Sequence, residues 1–91
     1  MQTHIVKTDP LVFMHELNGS KPFMFRVNDR NYQVGDRIIS QCTRFTGEEM
    51  KAGKPLEYTG DIMICEITYI FNGPFYTLSE GSCIMAFKHL A

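Results

Sequence analysis

Apolar positions along this chain form short extended runs broken by polar turns, and one stretch alone carries helical spacing. His4-Ile5-Val6-Lys7 predicts a short strand. Asp9-Pro10 predicts a helix start, since aspartate caps free amides and proline suits the first helical position. Leu11, Met14 and Leu17 recur at helical spacing with Phe13 beside them, and Asn18-Gly19 marks the stop. A helix of about two to three turns near residues 10–18 must bury that stripe to be stable. Pro22 to Val27 alternates, which sets Phe23, Phe25 and Val27 on one face, expected to be buried, and Met24 and Arg26 on the other.

Asn28 to Asn31 has turn chemistry, Tyr32-Gln33-Val34 reads as a short extended piece, and Gly35-Asp36 turns again. Arg37 to Phe45 predicts a longer strand. Thr46 to Glu57 is polar and reads as an exposed loop, with or without a brief helical turn. Tyr58 to Phe71 is the longest strand candidate, Asn72-Gly73-Pro74 breaks it, and Ser82 to Lys88 is the last strand. The order is strand, helix, then about five strands joined by turns, which predicts an α+β domain: a mostly antiparallel sheet curled into a small barrel against one principal helix.

Composition narrows the picture. The 91 residues suit one small domain, 1–91, and the formal net charge of -1 gives no global pull toward nucleic acid or membrane. The charge is uneven: residues 1–44 hold six basic side chains against four acids, and residues 45–91 hold three against six. Any positive patch belongs to the N-terminal half. Cys42, Cys65 and Cys83 are odd in number, widely spaced and set in apolar strands, so they read as small core residues rather than disulfides or zinc ligands. His4, His15 and His89 share no metal spacing with them, and no cofactor is called for. Met1-Gln-Thr-His-Ile-Val-Lys7 lacks the long apolar core of a secretion signal, and no apolar run approaches the ~20 residues of a membrane span. A cytoplasmic location without membrane contact is the expectation.

Several motifs in series carry a resemblance. They are His4 and Lys7 before the helix, Gly19-x-Lys21-x-Phe23-x-x-Arg26, Asn28-Asp-Arg30, Gln33-Val-Gly-Asp36, Tyr58-Thr-Gly60 and Ile67-Thr-Tyr-Ile70. In order and rough spacing this resembles the activating-signal-cointegrator homology (ASCH) domain of the PUA-like superfamily, close to a small bacterial and phage family within it. The resemblance implies a PUA-like pseudo-barrel and a cleft beside the helix, lined by the glycine-lysine-arginine motif, for RNA or nucleotide contact. It also implies a departure. A related amidohydrolase branch, acting on an acylated cytidine, resembles this chain in Lys21 and in Glu66 but carries a threonine nucleophile where Met24 stands here. A thioether can neither attack a carbonyl nor relay a proton.

The candidate ligand contacts are therefore Lys21, Arg26, Arg30, Glu66, Lys7 and Arg44, with no catalytic residue named. Lys21 reads either as a cleft cation or as a solvated loop residue. Arg26 has a fork suited to phosphate or to a structural acid such as Asp29, Asp36 or Glu66. Glu66, in an apolar strand, needs a partner or a solvated groove, and Lys21 and Arg26 are the partners expected for it. Tyr32, Tyr58, Tyr69 and Tyr76 could stack on bases or cover the rim of the core. Three functions follow: a module binding RNA, a nucleotide or a modified base; a protein-interaction domain that engages a host factor; and an amidohydrolase on a nucleoside, against which Met24 speaks.

Overall fold

The computed structural model describes residues 1–90. Strand β1 (Thr3–Thr8) is followed by helix α1 (Pro10–Leu17), β2 (Phe23–Val27), β3 (Arg37–Thr43), helix α2 (Gly47–Lys51), β4 (Tyr58–Asn72) and β5 (Ser82–His89). The five strands form one sheet in the order β1-β3-β4-β5-β2. Only the β1–β3 pair is parallel; the others are antiparallel. The sheet curls into a half-barrel on the long strand β4, which pairs with β3 through Ile62–Glu66 and with β5 through Cys65–Asn72. Register shifts at Gln41/Thr43 and Ile67/Tyr69 mark where it bends. The helix α1 packs on β3.

Local chemistry explains the element ends. The Asp9 carboxylate accepts from Leu11 N at 2.9 Å and Pro10 occupies the first turn of α1. Asn18 caps its C-terminus and Gly19 follows at φ 87°. Thr46 and Glu49 form a reciprocal capping box at α2, the helical turn inside the polar 46–57 segment. Tyr32-Gln33-Val34 is not a strand. It belongs to a turn whose Gly35 N donates to Ile67 O at 2.8 Å, docking the 33–36 segment on β4.

The inner face of the half-barrel holds Val6, Phe13, Met24, Ile38, Met63, Cys65, Ile67, Cys83, Met85 and Phe87. Thioethers and thiols make up half of that set, and their adaptable shape suits the irregular interior of a curled sheet. Cys42, Cys65 and Cys83 are all buried free thiols. Burial pushes the Cys65 thiol up to about 12.

Two face assignments differ from expectation. On β2, Met24 is 1% exposed, whereas Phe25 is 61% exposed and Phe23 and Val27 are exposed too. Alternation separates two faces but does not say which is inward. The register does, by setting Met24 opposite Met85 and Arg26 opposite Cys83, on the inner face of β5. On α1 the expected stripe of Leu11, Met14 and Leu17 is exposed, while Phe13 and Glu16, three residues apart, are buried. One short helix covers only part of the sheet, so much of its apolar surface stays outside.

Candidate functional site

The first and last strands of the sheet, β1 and β2, face each other across the open side of the half-barrel. No backbone ladder joins them. Arginine side chains cross instead: Arg26 Nη2 donates to Thr8 Oγ1 at 3.0 Å, and Arg30 Nη1 donates to Ile5 O at 2.9 Å. A cavity of about 250 Å³ opens along this seam beside α1, lined by Lys7, Thr8, Glu16, Lys21, Met24 and Arg26 among others. A second, of about 330 Å³, continues it past Arg30 and Tyr32. Lys7, Phe25 and Arg26 wall both, so the two form one cleft.

The cleft is built on a buried acid that no sequence motif singles out. Glu16 is 1% exposed. Its Oε2 accepts from Lys21 Nζ at 2.8 Å, and the same ammonium donates to Phe23 O at 2.7 Å. The backbone also holds the acid, since His89 Nε2 donates to Glu16 O at 3.0 Å. Glu16 Oε1 and Arg26 Nε are buried and have no hydrogen-bond partner among the described residues. A buried acceptor and a buried donor left open in one cleft are costly. A hydrogen-bond donor brought to Glu16 Oε1 and an acceptor brought to Arg26 Nε would satisfy them. Glu16 is the one acid of α1 and sits on the Phe13 face, and that spacing was the signal available in the sequence.

Thr8 is buried and shares its hydroxyl with Ser40 and Arg26. Tyr32 is buried at the far end of the cleft. Burial pushes its phenol above the ordinary value, while the nearby Arg26 and Arg30 charges pull the other way. Arg30 also lies 4.0 Å from Asp29.

Four of the six sequence candidates thus converge: Lys7, Lys21, Arg26 and Arg30. The other two do not. Glu66 lies on the outer face of β4, opposite Arg37 and Lys88 in register, with Lys88 Nζ at 3.7 Å. The expected pairing of Glu66 with Lys21 or Arg26 is therefore wrong, because Arg26 points to the inner face. Arg44 pairs with Glu57 at 3.2 Å and lines neither cavity of the cleft. Arg26 itself meets the Thr8 hydroxyl rather than Asp29, Asp36 or Glu66.

Asp36 serves the frame instead. It is buried and accepts from Gln2 N at 3.0 Å, His4 Nε2 at 2.8 Å and Gln33 N at 3.1 Å. Burial alone would raise its carboxyl; these hydrogen bonds and the His4 charge outweigh that and hold it below the ordinary value. So His4 and the Gly35-Asp36 turn, far apart in sequence, form one buttress behind β1.

A family profile described as Domain of unknown function (DUF3850) matches residues 3–87. The chain belongs to this family. A search of curated proteins finds no match. The matched span of this DUF3850 chain includes every residue of the cleft. Among its described residues, no three His, Cys, Asp or Glu side chains gather to hold a metal. No helix among them is long and apolar enough to cross a membrane.

Proposed function

We propose that this chain is a small binding module that takes RNA, a nucleotide or a modified base in the cleft between β1 and β2, and that its half-barrel is an ASCH-type, PUA-like pseudo-barrel. The observation that carries the reading is the pair of open buried groups, Glu16 Oε1 and Arg26 Nε, in a cleft rimmed by Lys7, Lys21 and Arg30. A nucleotide supplies both complements: amino or hydroxyl donors for the carboxylate, and phosphate or carbonyl oxygens for the guanidinium. Binding fits better than turnover. Met24 offers no nucleophile, the Thr8 hydroxyl is engaged by Arg26, and the Lys21 amine is committed to Glu16 and the Phe23 carbonyl.

Titration calorimetry with nucleosides, nucleoside 5′-monophosphates and short RNA tests this. Glu16→Gln and Arg26→Lys are the informative variants, because both keep side-chain volume. Lys21→Ala is not, since it strands a buried carboxylate. Each informative variant should weaken binding by about tenfold to a hundredfold, the worth of one charge-assisted hydrogen bond. Unchanged affinity in both would move the site elsewhere, and robust hydrolysis of an acylated cytidine would replace binding by catalysis.

A second reading, a protein-interaction domain, is favoured by the exposed stripe of Phe23, Phe25 and Val27 along edge strand β2. Phe23→Asp, at the part of the stripe that lines neither cavity of the cleft, separates the two readings if it abolishes capture of a defined protein partner while nucleotide affinity persists.

A further inference from the structure

A third cavity, of about 550 Å³, lies beyond Tyr32, which walls both it and the cationic cleft. Its lining includes Asn28, Asn31, Gln33, Asn72 and Ser82 and no charged residue. The carboxamides come from the turn after β2 and from the end of β4, and hydrogen bonds organise them. Asn28 Nδ2 donates to Asn72 Oδ1 at 3.1 Å, Tyr32 N donates to Asn28 Oδ1 at 3.0 Å, and Gln33 Nε2 donates to Asn31 Oδ1 at 3.0 Å. Asn31 is held at φ 50°, a conformation that asparagine tolerates better than most residues. These bonds leave the side-chain N–H groups of Asn31 and Asn72 and the side-chain carbonyl of Gln33, all on exposed residues, free of protein partners among the described residues.

We infer that this carboxamide-lined cavity is a subsite for one uncharged, unpaired nucleobase, next to the cleft where Arg26 and Arg30 meet phosphate. The inference rests on the nucleotide reading above and extends it from one nucleotide to a strand. An uncharged cavity with adjacent open donors and an open acceptor does not suit phosphate. It suits a planar edge that presents both kinds of group, and Asn and Gln pair in this bidentate way with the adenine edge. Tyr32, as the shared wall, makes the two compartments neighbours, so a ligand that fills both seats one nucleotide in the cleft and the base of the next nucleotide beyond Tyr32.

The test compares adenosine 5′-monophosphate with an oligoadenylate trimer on the full chain, using the Gln33→Leu/Asn72→Leu double variant. The trimer should bind the unaltered protein more tightly than the monophosphate. The double variant should lose about tenfold in trimer affinity, in line with one lost bidentate contact. It should keep its monophosphate affinity and its melting temperature. Equal affinity for both ligands in the unaltered protein, or no effect of the double variant, overturns the subsite while the cleft reading stands. Loss of both ligands in Glu16→Gln but of neither in the double variant also overturns the subsite and leaves the cleft in place. Failure of both ligands to bind the unaltered protein overturns the cleft reading and the subsite together. Binding of a neutral disaccharide that depends on Gln33 and Asn72, with no trimer preference, overturns the assignment to a nucleobase.

Discussion

Met24 and Phe25 are adjacent, both large and apolar, and the sheet treats them oppositely. Met24 is sealed against Met85, so Met24→Ala should cost about 2–5 kcal/mol in chemical denaturation, as a transfer loss plus a cavity. Phe25 faces solvent along the cleft, so Phe25→Ala should stay within about 1 kcal/mol. A larger loss at Phe25 than at Met24 would reverse the assignment of faces on β2. Asp36 makes a second prediction at this scale. Its folded-state pKa lies below the ordinary 3.8, so the carboxylate form favours the fold. That contribution is complete above the ordinary value and is lost as pH falls through the lower, folded-state value. Stability measured against pH should therefore decline on the acid side, and Asp36→Asn should flatten that decline while lowering stability at neutral pH.

At the scale of elements, Asp9 joins two helices. One carboxylate oxygen caps α1 through Leu11 N at 2.9 Å, and the other accepts from Gly47 N at the start of α2 at 3.1 Å. Helix α2 has five residues and none is buried, so caps rather than packing hold it. Asp9→Ala should cost about 1–2 kcal/mol. Hydrogen exchange should also speed up at Met50 and Ala52, whose amides carry the bonds of α2, while β3 and β4 keep their protection. Unchanged exchange at those amides would show that α2 is held by something other than its caps. Edge strand β2 shows the reverse economy. It pairs on one side with β5 alone, and its other side is spanned by the side chains of Arg26 and of Arg30 in the turn that follows rather than by a backbone ladder.

For the whole molecule, the open seam sets the electrostatics. The net charge is -1, yet Lys7, Lys21, Arg26 and Arg30 gather on one cleft. Lys21 is already matched by Glu16, so few cations remain for phosphate. If the cleft binds RNA as proposed, affinity should fall with salt along a shallow log–log slope of about -1 to -2, because two or three phosphates at most are neutralised. A slope steeper than about -4 would mean a long groove rather than a pocket.

The sequence by itself determined the turns and the starts of α1 and of the longest strands, but not every element. Tyr32-Gln33-Val34 is part of a turn, β3 ends at Thr43 rather than Phe45, and four strands rather than about five follow α1. Asp9-Pro10 and Asn18-Gly19 bracket α1, and Arg37, Tyr58 and Ser82 open the three longest strands where the turns release them. The motif cations Lys7, Lys21, Arg26 and Arg30 were legible as a group, because a glycine stop, a strand and a turn fix their spacing. These are local properties, written in turn chemistry and period. The tertiary structure decided which face is inside. Period two is symmetric, so only pairing of β2 with β5 turned Met24 inward and left Phe23, Phe25 and Val27 outside. It also decided the charge partners: Glu16 for Lys21, Thr8 for Arg26, and Lys88 for Glu66. Contacts between segments this far apart depend on how the sheet curls, and the open acceptor of Glu16 and open donor of Arg26 exist only where β1, α1 and β2 meet at the seam.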